Sequence, residues 1–259
     1  MQMSSFCTSH NIETTTVGGL PIARLDMKQT AVTMIDAARS KSQNERPFYF
    51  TSANGEVIAC CHHDRQFTQL VTEADLISAD GQPLIFASRL FAHNPLPERV
   101  ATTDLFDVVA AEAEQRDISF YLFGATEDAN RKAYERTRKA FPRLRILGRS
   151  HGYLTGAELD RKIAEIDFLG PDILWIAIGV PYEQQFARRF ASELTHVGLI
   201  KTSGGLFDFL SGMKPRAPVW MQHAGLEWAY RLGREPRRLF RRYAVTNPIA
   251  AIELFRATQ

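Results

Sequence analysis

The sequence lacks the fingerprints of the common nucleotide enzymes. There is no G-x-G-x-x-G and no G-x-x-x-x-G-K-[ST], which argues against a dinucleotide dehydrogenase and a P-loop NTPase. Asp-x-Asp is also missing, and with it the usual carboxylate pair that holds a divalent ion on a nucleotide diphosphate. A diphosphate handled here must therefore be neutralised by arginines or helix N-termini. Cysteine is scarce: Cys7, Cys60 and Cys61 are too few for a disulfide framework and suit a reducing compartment. The run Cys60-Cys61-His62-His63 lacks spaced-ligand periodicity, and neighbours along a strand would point to opposite faces, so no metal site is expected. No basic segment followed by an apolar stretch opens the chain, and the longest apolar run, 173–180, is far too short to cross a bilayer. A cytoplasmic or peripherally attached protein is expected.

What is present describes an ordinary globular chain of 259 residues, 45% hydrophobic and 23% charged, enough for one large or two small α/β units. Its net charge of +2 is unevenly spread, because 214–242 carries eight basic residues against Glu227 and Glu235. Arg231, Arg234, Arg238, Arg241 and Arg242 fall at near-helical spacing in a segment that also holds Trp228, Leu232, Leu239, Phe240 and Tyr243. Basic, aromatic, amphipathic segments of this kind lie on anionic membrane surfaces. A solvated helix face is the plainer alternative. Nucleic acid could use the same charge, but no recognised nucleic-acid module accompanies it.

The remaining chain alternates. After a polar tail expected over 1–17, a helical stripe over 30–39 precedes an aromatic strand at 47–52, and Asn54-Gly55 separates that strand from an apolar stretch at 56–61. Asn-Gly is a strong hairpin signal; the alternative is that Ser52 and Asn54 point polar atoms into a cleft at a strand end. A short strand ends at Ala79, and Pro83 suits the first turn of a helix over 83–91. Thr103-Asp104 reads as the cap of a helix over 105–115, and Thr155 to Glu158 as a capping box. Strands at 118–123, 144–147, 172–178 and 198–201 alternate with helices at 127–141, 155–168 and 183–195. Such βα repetition predicts a Rossmann-like parallel sheet flanked by helices, with a basic helical appendage at the C-terminus. The expected organisation is a tail over 1–17, a core over 18–213 and an appendage over 214–259. Within the core, 18–105 and 106–213 form two parts, the first with the Asp80-Gly81 hinge and the second with the glycine-ended strands.

Asp80-Gly81 stands at the hinge between strand and helix. A carboxylate at the carboxyl end of a strand, beside a glycine that admits a ligand, sits where open α/β sheets keep their active sites. A plain helix cap is the commoner use of an Asp in that place. Three strands also end in glycine turns, at Gly124, at Gly179-Val180-Pro181 and at Ser203-Gly204-Gly205, where phosphates or a sugar could reach backbone N–H groups.

The order of these motifs resembles the WecG/TagA/CpsF family of glycosyltransferases. The match is carried by Ser52 and Asn54, Ala79-Asp80-Gly81, Leu96-Pro97-Glu98-Arg99-Val100, Asp104 and Gly179-Val180-Pro181. It continues through Ser203-Gly204-Gly205 to Phe209, Gly225-Leu226-Glu227-Trp228-Ala229-Tyr230-Arg231, and Glu235-Pro236-Arg237-Arg238 to Tyr243. The resemblance implies a bacterial inverting transferase that moves N-acetylmannosamine, a related uronic acid or another hexose from UDP to a polyprenyl-diphosphate-linked saccharide at the inner membrane face. It implies Asp80 as general base, Ser52, Asn54 and Arg99 as pocket residues, and Arg231, Arg238 and Arg241 as arginines of a C-terminal segment that closes on the pocket and meets the membrane. Asp104, Gly124, Gly179 and Pro181 complete the expected substrate-binding set, with no cofactor. Many family members carry Pro-Lys-Gln-Glu where this chain has Pro181-Tyr182-Glu183-Gln184, so the family's pocket glutamine corresponds to Glu183 or is displaced to Gln184. Thr102 likewise stands where glycine is common. A homo-oligomer is possible, and a non-catalytic nucleotide- or polyanion-binding module is the alternative reading of the same residues.

Overall fold

The computed structural model describes residues 5–42 and 45–259. In chain order its first elements are α1 (Ser5–Ser9), β1 (Thr14–Val17), β2 (Leu20–Ala23), α2 (Met27–Ser40), β3 (Phe48–Ala53), α3 (Gly55–His63), α4 (Arg65–Thr72) and β4 (Leu76–Ala79). There follow α5 (Gln82–Phe91), α6 (Thr102–Arg116), β5 (Ser119–Gly124), α7 (Glu127–Ala140), β6 (Arg145–Ser150), α8 (Gly156–Leu169) and β7 (Ile173–Ala177). The last are α9 (Tyr182–Phe190), β8 (Leu199–Thr202), α10 (Leu206–Leu210), α11 (Val219–His223), α12 (Glu227–Arg234) and α13 (Pro236–Arg256). The fold is α/β, with a six-stranded sheet in the order β4-β3-β8-β7-β5-β6. The pairs β3–β8, β8–β7, β7–β5 and β5–β6 are all parallel.

The chain divides into two compact units. Unit 2 comprises Met27–Thr51 and Thr102–Pro215. Its central strands β5 and β7 are buried at every position, because helices cover both faces of a parallel sheet and leave no polar side to alternate with. Phe106 of α6 packs edge-on against Trp175 of β7 at 4.9 Å and Phe120 of β5 at 5.9 Å. The buried Asn130 amide of α7 donates to the carbonyls of Leu122, Gly124 and Ser150, which ties the ends of β5 and β6 to that helix.

Unit 1 comprises Met1–Asp26, Ser52–Ala101 and Arg216–Gln259. Where composition suggests a loose tail, 14–17 pairs with 20–23 as an antiparallel hairpin across Gly18-Gly19, while residues 1–4 lie outside the described residues. The 214–259 stretch, expected as an appendage, is part of this unit from Arg216 onward. Leu239, Tyr243, Ala250 and Leu254 form the buried stripe of α13, which packs on α3 and is pinned by Arg242 to Glu56 at 3.1 Å and His62 to Glu253 at 3.0 Å. Beyond α13 the Gly19 N–H donates to Ala257 O, and the Gln259 N–H donates to Thr16 O. Apolar burial and backbone pairing thus join the two chain ends, which lie too far apart in sequence for any local pattern to show it.

Several boundaries differ from expectation for identifiable reasons. Asn54-Gly55 opens α3 instead of a hairpin, since the Asn54 side chain accepts the Val57 N–H at 3.1 Å and serves as a helix cap. α6 begins at Thr102, so Asp104 lies in its first turn, where a carboxylate suits the helix dipole. Thr155 is the N-cap of α8 without a side-chain cap bond, so the capping box does not form. The basic C-terminal segment is two helices, α12 and α13, parted at Glu235. Among the described residues no helix is long and apolar enough to cross a membrane.

Candidate active site

In unit 1 the polar candidates gather where β3 and β4 end. β4 is buried throughout, and the half-buried Asp80 follows it directly. The Asp80 N–H donates to Ala53 O at 2.8 Å, and the Val100 N–H donates to Ala79 O at 2.7 Å, so the backbone here is held from both sides. The N-cap of α5 is Gly81, with no side-chain cap bond. Asp80 therefore directly precedes the cap position. Ser52 Oγ lies 3.0 Å from Ser78 Oγ, and a Cβ placed on Gly81 would stand 3.4 Å from Asn54 Cα. Ser52, Asn54 and Asp80 thus share one end of one unit. The Asn54 carbonyl is engaged as the α3 cap, which leaves its amide as the group able to donate elsewhere.

Arg99 is not an isolated cation. Its guanidinium donates to Glu227 Oε2 at 2.8 Å and Gln222 Oε1 at 3.2 Å. The same Gln222 oxygen accepts Arg216 at 2.8 Å, and the Gln222 amide donates to Ala217 O at 2.8 Å. The Arg99 segment, already bonded beside Asp80 through Val100, is thereby fastened to α11 and α12. Sequence reasoning assigned Glu227 no role and passed over Gln222; the signal was an acid standing among the basic residues that follow Lys214. Of the expected arginines, Arg231 is half-buried on α12, Arg238 pairs with Glu235 and Arg241 is exposed on α13. The break at Glu235 means that they do not share one continuous helix face.

Unit 2 holds Asp104, Gly124, Gly179, Pro181, Glu183 and Gln184. Gly124 has a backbone reason of its own: at φ +138° a Cβ would stand 2.3 Å from Ala177 O of the adjacent strand. Gly204, at φ +59°, is the opposite case, because a Cβ there would meet nothing within 4 Å. Gly179 likewise borders open space, and the Val180–Pro181 peptide that follows is cis. Glu183 and Gln184, expected to line a pocket, are both buried in the first turn of α9. The Glu183 carboxylate accepts the Gly204 N–H at 2.8 Å, and the Gln184 amide donates to its other oxygen at 3.4 Å. Burial pushes the Glu183 carboxyl up to about 7, against the opposing pull of the Gly204 N–H and the Lys201 ammonium. Lys201, which sequence reasoning passed over, is buried near the end of β8 and donates to Thr202 O at 2.9 Å. A lone lysine in a short strand with no other charge was its only signal.

Among the described residues no group of three or more His, Cys, Asp or Glu side chains could hold a metal ion. Cys60 and Cys61 lie on α3, and burial raises both thiols, Cys61 to about 12, which keeps them protonated and unreactive at neutral pH.

The sequence profile of the glycosyl transferase WecG/TagA/CpsF family matches residues 15–259. Two curated relatives carry the name N-acetylglucosaminyldiphosphoundecaprenol N-acetyl-beta-D-mannosaminyltransferase. The protein from Bacillus subtilis is 30% identical over 204 residues, covering 76% of this chain and 77% of its own length. That from Bacillus spizizenii is 29% identical over 239 residues, covering 90% of each.

Two consequences are measurable. Reversing Arg99 to Glu sets two carboxylates against each other in a partly buried place and should lower unfolding stability by about 2 kcal/mol. Adding Glu227→Arg should recover most of that loss in urea titrations; no recovery would mean that the pair does not hold α12. For Glu183 the folded-state value lies above the unfolded 4.5, so between 4.5 and about 7 the folded protein binds a proton that the unfolded chain lacks. Its contribution is therefore fully present below about 4.5, declines as pH rises to about 7 and is level above. Glu183→Gln should remove that slope, read as the difference in midpoint between the two proteins at each pH.

Proposed function

Because the chain belongs to the glycosyl transferase WecG/TagA/CpsF family and is a glycosyltransferase, we propose a specific reaction for it. It transfers N-acetylmannosamine, or a closely related hexose or uronic acid, from UDP to N-acetylglucosamine carried on a polyprenyl diphosphate, with inversion at C1. The names of the two relatives support the acceptor and the sugar, and family membership supports the UDP donor. The observation that carries the mechanism is Asp80 at the carboxyl end of β4, its backbone held by Ala53 and its neighbour Gly81 taking the cap position.

In this reading Asp80 accepts the proton of the acceptor hydroxyl as the oxygen attacks C1 of the donor. The new C1–O bond forms as the bond from C1 to the UDP oxygen breaks, and single displacement inverts the anomeric centre. Ser52 and the Asn54 amide orient the acceptor or donor hydroxyls beside it. Negative charge grows on the departing UDP, and Arg231, Arg238 and Arg241 are the cations assigned to stabilise it. Arg99 serves at one remove, by fastening the C-terminal helices through Glu227 and Gln222. The turns after β7 and β8, with Gly179 and Gly204 bordering open space, receive the donor diphosphate.

The acceptor is a lipid, so the reaction takes place at a membrane surface, and we assign contact with the inner face of the cytoplasmic membrane to the C-terminal helices. Trp220 of α11 is 65% exposed and Phe240 of α13 66% exposed, and Arg237, Arg238 and Arg241 of α13 are exposed as well, which supports binding to anionic lipid.

Asp80→Asn should fold as the parent does and lose about 100-fold to 10,000-fold in turnover, measured as UDP release from a panel of UDP-sugars with a polyprenyl-diphosphate-N-acetylglucosamine analogue. Acceptor-dependent release from one donor names the sugar, and undiminished release by the variant would remove Asp80 from the chemistry. Replacing Arg238 and Arg241 with Glu should weaken partitioning onto anionic vesicles by at least about thirtyfold, at roughly 1 kcal/mol per arginine, read by co-sedimentation. Equal co-sedimentation would refute the membrane assignment.

A further inference from the structure

Glu183 is the second residue of α9 but is only 3% exposed, an unusual place for a carboxylate. It joins two loops that follow neighbouring parallel strands. It stands at the end of the turn that leaves β7, and its Oε2 accepts the N–H of Gly204 in the turn that leaves β8. The same β8 turn is fixed at its start by Ser203, whose N–H and hydroxyl both donate to Ile176 O of β7. Past Ser203 the constraint changes. Gly204 lies at φ +59°, and neither Gly204 nor Gly205 has a neighbour within 4 Å of the place a Cβ would occupy. Packing therefore does not define the tip of this turn on that side, whereas the Glu183 bond does.

The groups facing the carboxylate are few. Lys201 of β8, itself 1% exposed, is the ionisable one, and Gln184, Ser203 and Gly204 supply N–H dipoles. Asp208, the acid of α10, is paired with Lys214 at 2.6 Å. A buried ionised acceptor binds an N–H about twice as strongly as a neutral one, so the hold on Gly204 depends on whether Glu183 carries its proton.

We infer that Glu183 is a positioning residue, whose carboxylate holds the Ser203-Gly204-Gly205 turn in the conformation that receives the donor diphosphate and does not itself touch the donor. The inference rests on the proposed placement of the UDP donor at the turns after β7 and β8. It separates Glu183 from the substrate-lining role that its place in the motif implied. Glutamine at this position would keep a neutral acceptor of nearly the same shape and so mimic the protonated form at every pH.

The test uses the full chain, UDP as probe, and three proteins: the parent, Glu183→Gln and Glu183→Ala. UDP dissociation constants are measured calorimetrically from pH 5.5 to 8.5, alongside amide hydrogen exchange over 199–206. The terminal phosphate of UDP titrates in the same range but identically for each protein, so the readout is the ratio of Glu183→Gln to parent. That ratio should be near one at pH 5.5 and rise about threefold to tenfold by pH 8, passing its midpoint near 7. Glu183→Ala should weaken UDP at every pH and speed exchange at 203–205. A ratio that does not vary with pH, or one that falls below one at pH 8 because the carboxylate repels the nucleotide directly, overturns the positioning role. Faster exchange in Glu183→Ala without any UDP binding by the parent overturns the donor placement instead, since the turn would then be held by Glu183 for a site that does not take UDP.

Discussion

Parallel pairing is the constraint from which the rest follows. With β3, β8, β7, β5 and β6 running the same way, the carboxyl ends of these strands emerge on one side, and so do the turns at Ala125, Gly179 and Gly204. Central strands of such a sheet are covered on both faces, which is why β5 and β7 are buried throughout and why Trp175, Phe120 and Phe106 share one buried cluster. Two of the polar side chains in that interior tie neighbouring elements together. Asn130 bonds three carbonyls, and Glu183 bonds the turn of the next strand. The strand ends are where backbone N–H groups are still available, and the proposed base and donor turns lie there.

In unit 1 the governing link is between the two ends of the chain. α13 lies on α3 through a stripe of four buried residues, and the residues after it bond the hairpin at Gly19 and Thr16. Arg99 adds a polar fastening, from the segment beside Asp80 to α11 and α12. A basic C-terminal segment anchored in this way has its arginines and exposed aromatic residues carried on a fixed base. That combination suits the proposed reaction on a lipid-borne acceptor, in which the proposed base Asp80 and the proposed lipid-facing helices belong to the same unit.

Much of the α/β architecture was legible. Strands at 118–123 and 172–178 and the helix at 83–91 were each recognised to within about two residues, because continuous apolar runs and helical spacing are local signals. Asn54-Gly55 misled because the same dipeptide suits a hairpin turn and a helix start, and only the Val57 N–H placed above Asn54 Oδ1 distinguishes them. The hairpin over 14–23 was missed although Gly18-Gly19 marks its turn, since short threonine-rich strands have little apolar alternation to announce them. Glu183 or Gln184 was expected in the place of the family's pocket glutamine, and position in a motif carries no information about which way a side chain turns. The burial of Glu183 and its bond to a residue 21 positions away belong to the packing of α9 on the sheet.

By itself, the sequence determined the fold class, the family, and the stretch at Asp80-Gly81 around which the proposed chemistry is built. These depend on local periodicity and on short motifs in a fixed order, and both survive in one dimension. Only the tertiary structure decided that Gly81 and not Asp80 takes the helix cap, that Arg99 is engaged by Glu227 and Gln222, that the C-terminal helices belong to the same unit as the N-terminal hairpin, and that Glu183 faces Gly204 from within the protein. The physical reason is common to all four. A hydrogen bond or ion pair between distant residues depends on where folding brings the partners, and burial then determines what a charge is worth, so neither the pairing nor its strength can be read from residue type and spacing alone.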